Sequence, residues 1–355
     1  MFFLGLDVGG ANLKAALLKV EEGKPLEVYT ASQYFPLWKA GKERLPEALN
    51  LLLRLLPEVE VEAVGLTMTA EVSDVYENKR EGVLHVLRSV GDLFKSTPIK
   101  VVSVEGRLIP VEEAETHPLR VASANWAASG WLVSRKLREA ILMDVGRTTT
   151  SIIPVKNGKV AALGLTDLEK LSLGELVYTG ALRTNVSAIV SRVEVRGVPV
   201  RVSAEYFACT GDVYLVLGDL QPEDYTVDTP DGRGKSKRES LARLARTVCA
   251  DLETLGEQEV YRLAWQIAEK QQAQIAEALN QVYLTHWKDG KAKEGLPIVT
   301  AGVKQGFLAF KAALKAGFRQ VQPVDRLFGF MISRVLPSAA AAFMAAWERL
   351  GGLKL

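Results

Sequence analysis

The sequence predicts an α/β fold made of two related lobes, and three observations carry that prediction. First, one short pattern occurs twice: residues 3–18 read FLGLDVGGANLKAALL and residues 140–155 read AILMDVGRTTTSIIPV. In each, an apolar strand runs into Asp-Val-Gly, a polar turn follows and a second apolar run returns, which is the pattern of a β-hairpin. Second, the two copies open the chain and its middle, and a length of 355 residues suggests about two domains. Third, strand-like runs alternate with segments of helical spacing after each copy, as an α/β architecture requires. With 48% hydrophobic and 24% charged residues the composition is that of a chain with a real core, far from the disordered regime.

Each element follows from its local pattern. Residues 26–32 continue the first sheet, and residues 45–56 carry apolar side chains at helical spacing. Residues 61–67 and 99–104 are strand candidates, with a helix near 83–94 between them. A helix over 119–137 leads into the second hairpin, and residues 159–165 supply a third strand after it. From about 173 to 236 the chain lacks helical periodicity and is rich in turn residues, so this stretch is assigned to an insertion or cap. Helices resume at 237–255 and 257–282. A short strand over 297–300 precedes Gly302, and a helix over 306–316 follows. The lobes are therefore expected at 1–137 and 138–337, with a terminal helix, 338–349, packing back on the first.

Charge and cysteine content exclude several classes of function. The 44 basic and 42 acidic side chains leave +2, so no bulk field points to nucleic acid or to an anionic membrane surface. Cys209 and Cys249 cannot build a disulfide framework, and with the scattered His85, His117 and His286 they lack the spacing of a structural zinc site. The amino terminus has no basic region and reaches Asp7 before a signal-peptide core is complete, and residues 339–347 are far too few to span a bilayer. A cytoplasmic protein acting on small molecules is expected. The sequence leaves open whether it forms a homo-oligomer.

The hairpins are where chemistry is expected. In Asp7-Val8-Gly9-Gly10-Ala11-Asn12-Leu13-Lys14, the glycines let backbone N–H groups approach a ligand oxygen, Asn12 and Lys14 add donors, and Asp7 at the strand end suits Mg²⁺. The second copy offers Asp144, Gly146, Arg147, Thr148 and Thr149. Two such loops can grip a diphosphate, with Asp7 and Asp144 flanking the metal.

These paired hairpins resemble the two phosphate loops of the acetate and sugar kinase, Hsp70 and actin superfamily. The resemblance implies two RNase H-like lobes around a central cleft, with Gly302 in the third, nucleoside-side loop. That loop departs from the family pattern, having one glycine between Ala301 and Val303 where ATP users carry paired glycines. This counts against ATP and leaves Mg²⁺ as the expected cofactor.

Further segments narrow the resemblance. Residues 177–184 (VYTGALRT) are similar to a stretch in hydantoinase and oxoprolinase-related proteins. Residues 67–74 (TMTAEVSD), 123–126 (SANW) and 224–234 (DYTVDTPDGRG) resemble proteins of the tetrahydromethanopterin-linked one-carbon pathway. The resemblance implies a transferase of methanofuran biosynthesis. Such an enzyme joins the phenol of γ-glutamyltyramine to an aminomethylfuran methyl diphosphate and releases pyrophosphate.

That chemistry needs charge stabilisation for the departing pyrophosphate and an acceptor for the proton of a phenol of pKa about 10. No histidine is well placed for the second task. Among Glu71, Asp74, Asp224 and Asp228, the position after a strand favours Glu71 or Asp74, and turn caps or salt-bridge partners remain the other reading. Asn125, Arg183, Asp228 and Arg233 are the expected substrate contacts. Residues 224–237 read equally as a lid over a polyanion and as a solvated charged loop, and Trp126 reads as core more readily than as cleft floor. Two other functions stay open: an ATP-dependent kinase or ATP-driven hydrolase of the same superfamily, and a non-catalytic member that uses lobe closure as a switch.

Overall fold

The structure is a computed structural model that describes residues 1–288 and 292–354. The chain separates into two compact units. One comprises residues 1–140, 153–170 and those from 324 onward, and the other comprises residues 141–152 and 171–323.

The first unit is built on six strands: β1 (Phe2–Val8), β2 (Asn12–Glu21), β3 (Lys24–Tyr34), β4 (Ala63–Met68), β5 (Ile99–Val102) and β6 (Leu108–Pro110), in the order β3-β2-β1-β4-β5-β6. β1 pairs antiparallel with β2 and parallel with β4, which sets Asp7 opposite Lys14 on one side and Thr67 on the other. Residues buried on both faces of β1 and β4 explain their continuous apolar runs. The helix Leu336–Leu350 lies on these two strands. A Cβ on Gly5 would fall 1.8 Å from Ser338 O, and one on Gly65 2.2 Å from Ala341 O. The missing side chains at these paired positions allow the Ala339–Ala342 face of the helix to lie directly on the sheet backbone.

The second sheet repeats this wiring. It contains β7 (Ala140–Val145), β8 (Thr150–Lys156), β9 (Lys159–Val160), β10 (Leu176–Val177), β13 (Ile298–Gly302) and β14 (Val321–Pro323), in the order β10-β8-β7-β13-β14 with β9 on β8. A separate hairpin is formed by β11 (Arg192–Val195) and β12 (Val198–Arg201). β7 pairs parallel with β13, as β1 does with β4. The duplication extends to a single turn bond: Gly9 N donates to Asn12 O at 3.1 Å, and Gly146 N to Thr149 O at 2.8 Å. An α/β sheet is therefore built twice from the same hairpin.

Three local expectations are corrected. The third strand expected over 159–165 ends at Val160. The expected helix over 119–137 begins only at Asn125, because Ser123 takes a left-handed backbone (φ 53°) that no helix can continue through. The stretch 173–236 is not helix-free: Thr210–Leu217 is a helix in the middle of the second core, packed on the 30-residue helix Glu257–His286. Among the described residues no helix is long and apolar enough to cross a membrane.

Candidate active site

The carboxyl ends of parallel strands are where open α/β sheets place ligands, and both units concentrate polar groups there. In the first unit Asp7 is buried one residue before the end of β1, its Oδ2 3.9 Å from Lys14 Nζ on the neighbouring strand. The Gly9–Gly10 turn lies against the segment that follows β4. A Cβ on Gly9 would come within 3.4 Å of Thr69 Oγ1, and one on Gly10 within 4.0 Å of the Ser73 Cβ. The expected phosphate turn and the expected proton acceptor are thus neighbours within one unit.

Glu71 is the buried carboxylate of that segment, only 2% exposed. Its Oε1 accepts from the Ser123 backbone N–H at 2.7 Å and from the Ser123 hydroxyl at 2.9 Å. The left-handed turn at Ser123 thus aims two donors at one oxygen. The other oxygen, Oε2, is buried with no hydrogen-bond partner among the described residues, as are Thr67 Oγ1 and Ser73 Oγ on the same segment. Native interiors satisfy nearly all such atoms, so unpaired oxygens on the end of β4 and the segment that follows it mark a place that a ligand or water completes. Burial pushes the Glu71 carboxyl up from the ordinary range, against the Ser123 bonds and the Lys79 charge, which act to lower it. A carboxylate so raised accepts a proton more readily than one in water. Asp74, the other expected acceptor, is exposed on the turn beyond.

In the second unit Asp144 ends β7 directly beside the loop that leaves β13. Gly302 has φ 99°, and a Cβ there would fall 2.7 Å from Asp144 Oδ1 and 2.1 Å from Val145 O. The 146–149 turn is held from behind by residues 180–183: Ala181 N donates to Gly146 O, and both Leu182 N and Arg183 N donate to Arg147 O. That support is itself braced, since the Gln271 amide donates to Thr179 Oγ1 and Gly180 O, and Tyr214 donates to Gln271 Oε1. Arg147 Nε donates to Thr226 Oγ1 at 3.0 Å. Thr148 and Thr149 are half-buried on the turn.

The remaining expected residues are less concentrated. Asn125 is half-buried at the first turn of the helix Asn125–Ser134, next to Ser123. Its neighbour Trp126 is core, with Lys170 Nζ 3.2 Å from its ring centre. Arg183, Asp228 and Arg233 are exposed. The loop carrying Arg233 is fastened by Asp231, which accepts from Arg243 and Arg246, and by a Ser236–Glu239 capping box.

A model of the hydantoinase/oxoprolinase family matches residues 62–329, which takes in both Glu71 and the Asp144 hairpin. The chain belongs to the hydantoinase/oxoprolinase family. The chain is 40% identical over 265 residues to a Methanocaldococcus jannaschii protein, across 74% of this chain and 76% of the relative. That relative is named (4-{4-[2-(gamma-L-glutamylamino)ethyl]phenoxymethyl}furan-2-yl)methanamine synthase. A Methanococcus vannielii protein of the same name is 34% identical over 210 residues, 58% of this chain and 90% of the relative. Among solved structures, nucleotide-free acetone carboxylase superposes with a TM-score of 0.53 over 98% of this chain and 70% of its own, at 11% identity. That likeness concerns the fold alone.

Several residues of this candidate site escaped the sequence reading. Thr67, Ser73 and Ser123 sit inside segments that drew notice, but nothing in a serine's identity announces a left-handed backbone or an unpaired oxygen. Gln271 had a usable signal, being a buried polar residue on the apolar face of a long helix. Lys304 follows Gly302 closely and also went unmarked. Among the described residues no cluster of three His, Cys, Asp or Glu side chains could hold a metal ion. Asp7 and Asp144 each offer a single carboxylate beside turn hydroxyls and amides. That donor set fits Mg²⁺, which keeps several waters and takes one or two carboxylates together with substrate phosphates.

Proposed function

We propose that this chain is the ether-forming synthase of methanofuran biosynthesis, a cytoplasmic alkyl transferase. It joins the phenol oxygen of γ-glutamyltyramine to the methylene carbon of (5-aminomethylfuran-3-yl)methyl diphosphate. The observation that carries this reading is the 40% identity to the Methanocaldococcus jannaschii synthase, whose printed name describes a phenoxymethyl-furan ether.

The residues suit the step. The phenol gives its proton to Glu71 Oε2, the oxygen that Ser123 leaves unengaged. The phenol oxygen forms the new C–O bond to the furanylmethyl carbon, and the bond from that carbon to the diphosphate breaks, its electron pair leaving with pyrophosphate. The furan oxygen stabilises positive charge at the reacting carbon, which makes this departure easy. The Gly9–Gly10 turn with Lys14, or the Gly146–Thr149 turn with Arg147, supplies the donors for phosphate oxygens. Mg²⁺ held by Asp7 or Asp144 would supply further charge neutralisation for the leaving group. Asn125 and Arg183 are assigned to the phenolic substrate, whose glutamyl end brings carboxylate charge.

Incubation of the chain with both substrates and Mg²⁺ tests the reading. One ether product and one pyrophosphate should appear per turnover, without ATP. Turnover that depends on ATP, or nucleotide hydrolysis without ether, would sink it.

A further inference from the structure

One charged pair just beyond the carboxyl end of β13 has no part in the chemistry above. Lys304 Nζ lies 3.2 Å from Asp224 Oδ2. Two residues further along the same loop, Thr226 accepts from Arg147. A three-residue stretch, 224–226, therefore engages two cations that belong to the loops leaving β7 and β13, the loops on either side of Asp144.

The backbone beneath Lys304 makes this pair hard to dismiss as an ordinary surface contact. After β13 the chain is left-handed at Gly302, Lys304, Gln305 and Gly306, with Lys304 at φ 47°, ψ 53° and Gln305 at φ 56°, ψ 24°. Thr300 Oγ1 donates to Gln305 O at 3.0 Å and pins the turn. Left-handed backbone costs a non-glycine residue roughly 1 kcal/mol, and such residues gather at ligand clamps, where the surroundings over-determine them. The Lys304–Asp224 pair is about a third exposed on both sides (36% and 28%), a setting in which an ion pair contributes about 0–1 kcal/mol. The pair alone does not offset two strained residues. A ligand that needs a cation at this point gives a reason for the strain to be kept.

We propose that Lys304 is a diphosphate-binding residue and that Asp224 neutralises it in the unliganded chain, giving way when phosphate oxygens arrive. The proposal rests on the diphosphate reading above and adds to it a residue and an exchange step. The ammonium group moves from one carboxylate to a more highly charged phosphate, so the cation is paired in both states, while the released Asp224 carboxylate, 28% exposed, is left to water and to the Gln221 N–H.

Calorimetric titration of the full chain with pyrophosphate in excess Mg²⁺ tests it, because the two partners should shift affinity in opposite directions. Lys304→Met keeps the chain length and the backbone demand but removes the charge, and it should weaken binding by about 10-fold or more. Lys304→Arg should restore most of that loss. Asp224→Asn should tighten binding about 2- to 5-fold, the worth of an exposed pair. The asparagine amide oxygen can still accept the Gln221 N–H that Asp224 Oδ2 now accepts at 2.8 Å, so the loop stays capped. Unchanged affinity in Lys304→Met would overturn the proposal. Weaker binding in Asp224→Asn would overturn the masking, since the pair would then be holding the loop in shape. If the unaltered chain binds no pyrophosphate, the diphosphate reading itself fails; if the unaltered chain and Lys304→Met bind equally, only the role of Lys304 does.

Discussion

Glu71 and Asp212 are carboxylates taken out of water, one in each unit, and their surroundings could hardly differ more. Asp212 has every oxygen engaged. Oδ1 accepts from Ser240 Oγ at 2.9 Å and Arg243 Nε at 2.8 Å, and Oδ2 accepts from the Cys209 N–H at 3.1 Å. Arg243, itself fully buried, gives Nη1 to Asp231 and Gly234 O and Nη2 to Ser240 Oγ. The Cys209 thiol meets the Tyr225 hydroxyl, and burial pushes that thiol up to about 12, where it is inert. Glu71 has one oxygen held by Ser123 and one held by nothing among the described residues, beside two further unpaired hydroxyls. A closed network of this kind ties a loop, a helix and a cap into one piece. An open one leaves an oxygen available for chemistry.

If that contrast is right, the two sites should fail in different ways when altered. The largest effect is expected at Glu71. Glu71→Gln keeps an acceptor for both Ser123 donors and removes only the capacity to take a proton, so turnover should fall 10²- to 10⁴-fold while the chain stays folded. Full activity in this variant would make Glu71 an anchor for Ser123 and nothing more. At Asp212 the order is reversed. Asp212→Ala takes from the buried Arg243 its one fully buried counter-charge, leaving only the partly exposed Asp231, and should cost about 3 kcal/mol of stability, read by denaturant unfolding. Material that remains folded should keep its turnover. A mild effect on unfolding would show that the network is dispensable and would erase the comparison.

The same contrast has a pH signature. Burial raises the Glu71 carboxyl, so over the window between the ordinary carboxylate value and the raised one the native chain holds a proton that the unfolded chain has lost. Stability contributed by this group is present below that window and is lost as pH rises through it. Unfolding measured on both sides of the window should show the decline in the parent chain and a flatter curve in Glu71→Gln. An unchanged slope would mean that Glu71 is not the group responsible.

What the sequence disclosed and what it hid divide along physical lines. The repeated Asp-Val-Gly hairpin was legible because a strand, a turn and a returning strand leave a contiguous signature, and the β1–β2 and β7–β8 neighbours follow from it. The helix Thr210–Leu217 was not, because it is buried on all sides and shows no 3.6-residue alternation to read. Asp212 and Arg243 are 31 residues apart, so their pairing exists only in space. At the candidate site, Glu71 could be ranked from its place after a strand. Its partner could not, since a left-handed serine looks like any other. The same limit hid the strained Lys304 turn.

Ser123 offers the finest test, because its backbone and its hydroxyl can be separated. Ser123→Ala removes the hydroxyl donor but keeps the N–H bond and the strained φ of 53°. Ser123→Gly removes the hydroxyl as well and relieves the left-handed backbone, so it should be more stable than the alanine variant by about 1 kcal/mol. In activity the two should agree, because both lose the bond that favours the ionised carboxyl. The Ser123 hydroxyl bond lowers the Glu71 value, and without it that value rises further. The acid limb of kcat/KM against pH should therefore move to higher pH in both variants, by the same amount, although their stabilities differ. A limb that stays in place while stability changes would reduce Ser123 to a structural tie. A limb that moves with the hydroxyl, whatever the backbone does, would show that Ser123 sets the readiness of Glu71 to take the phenol proton.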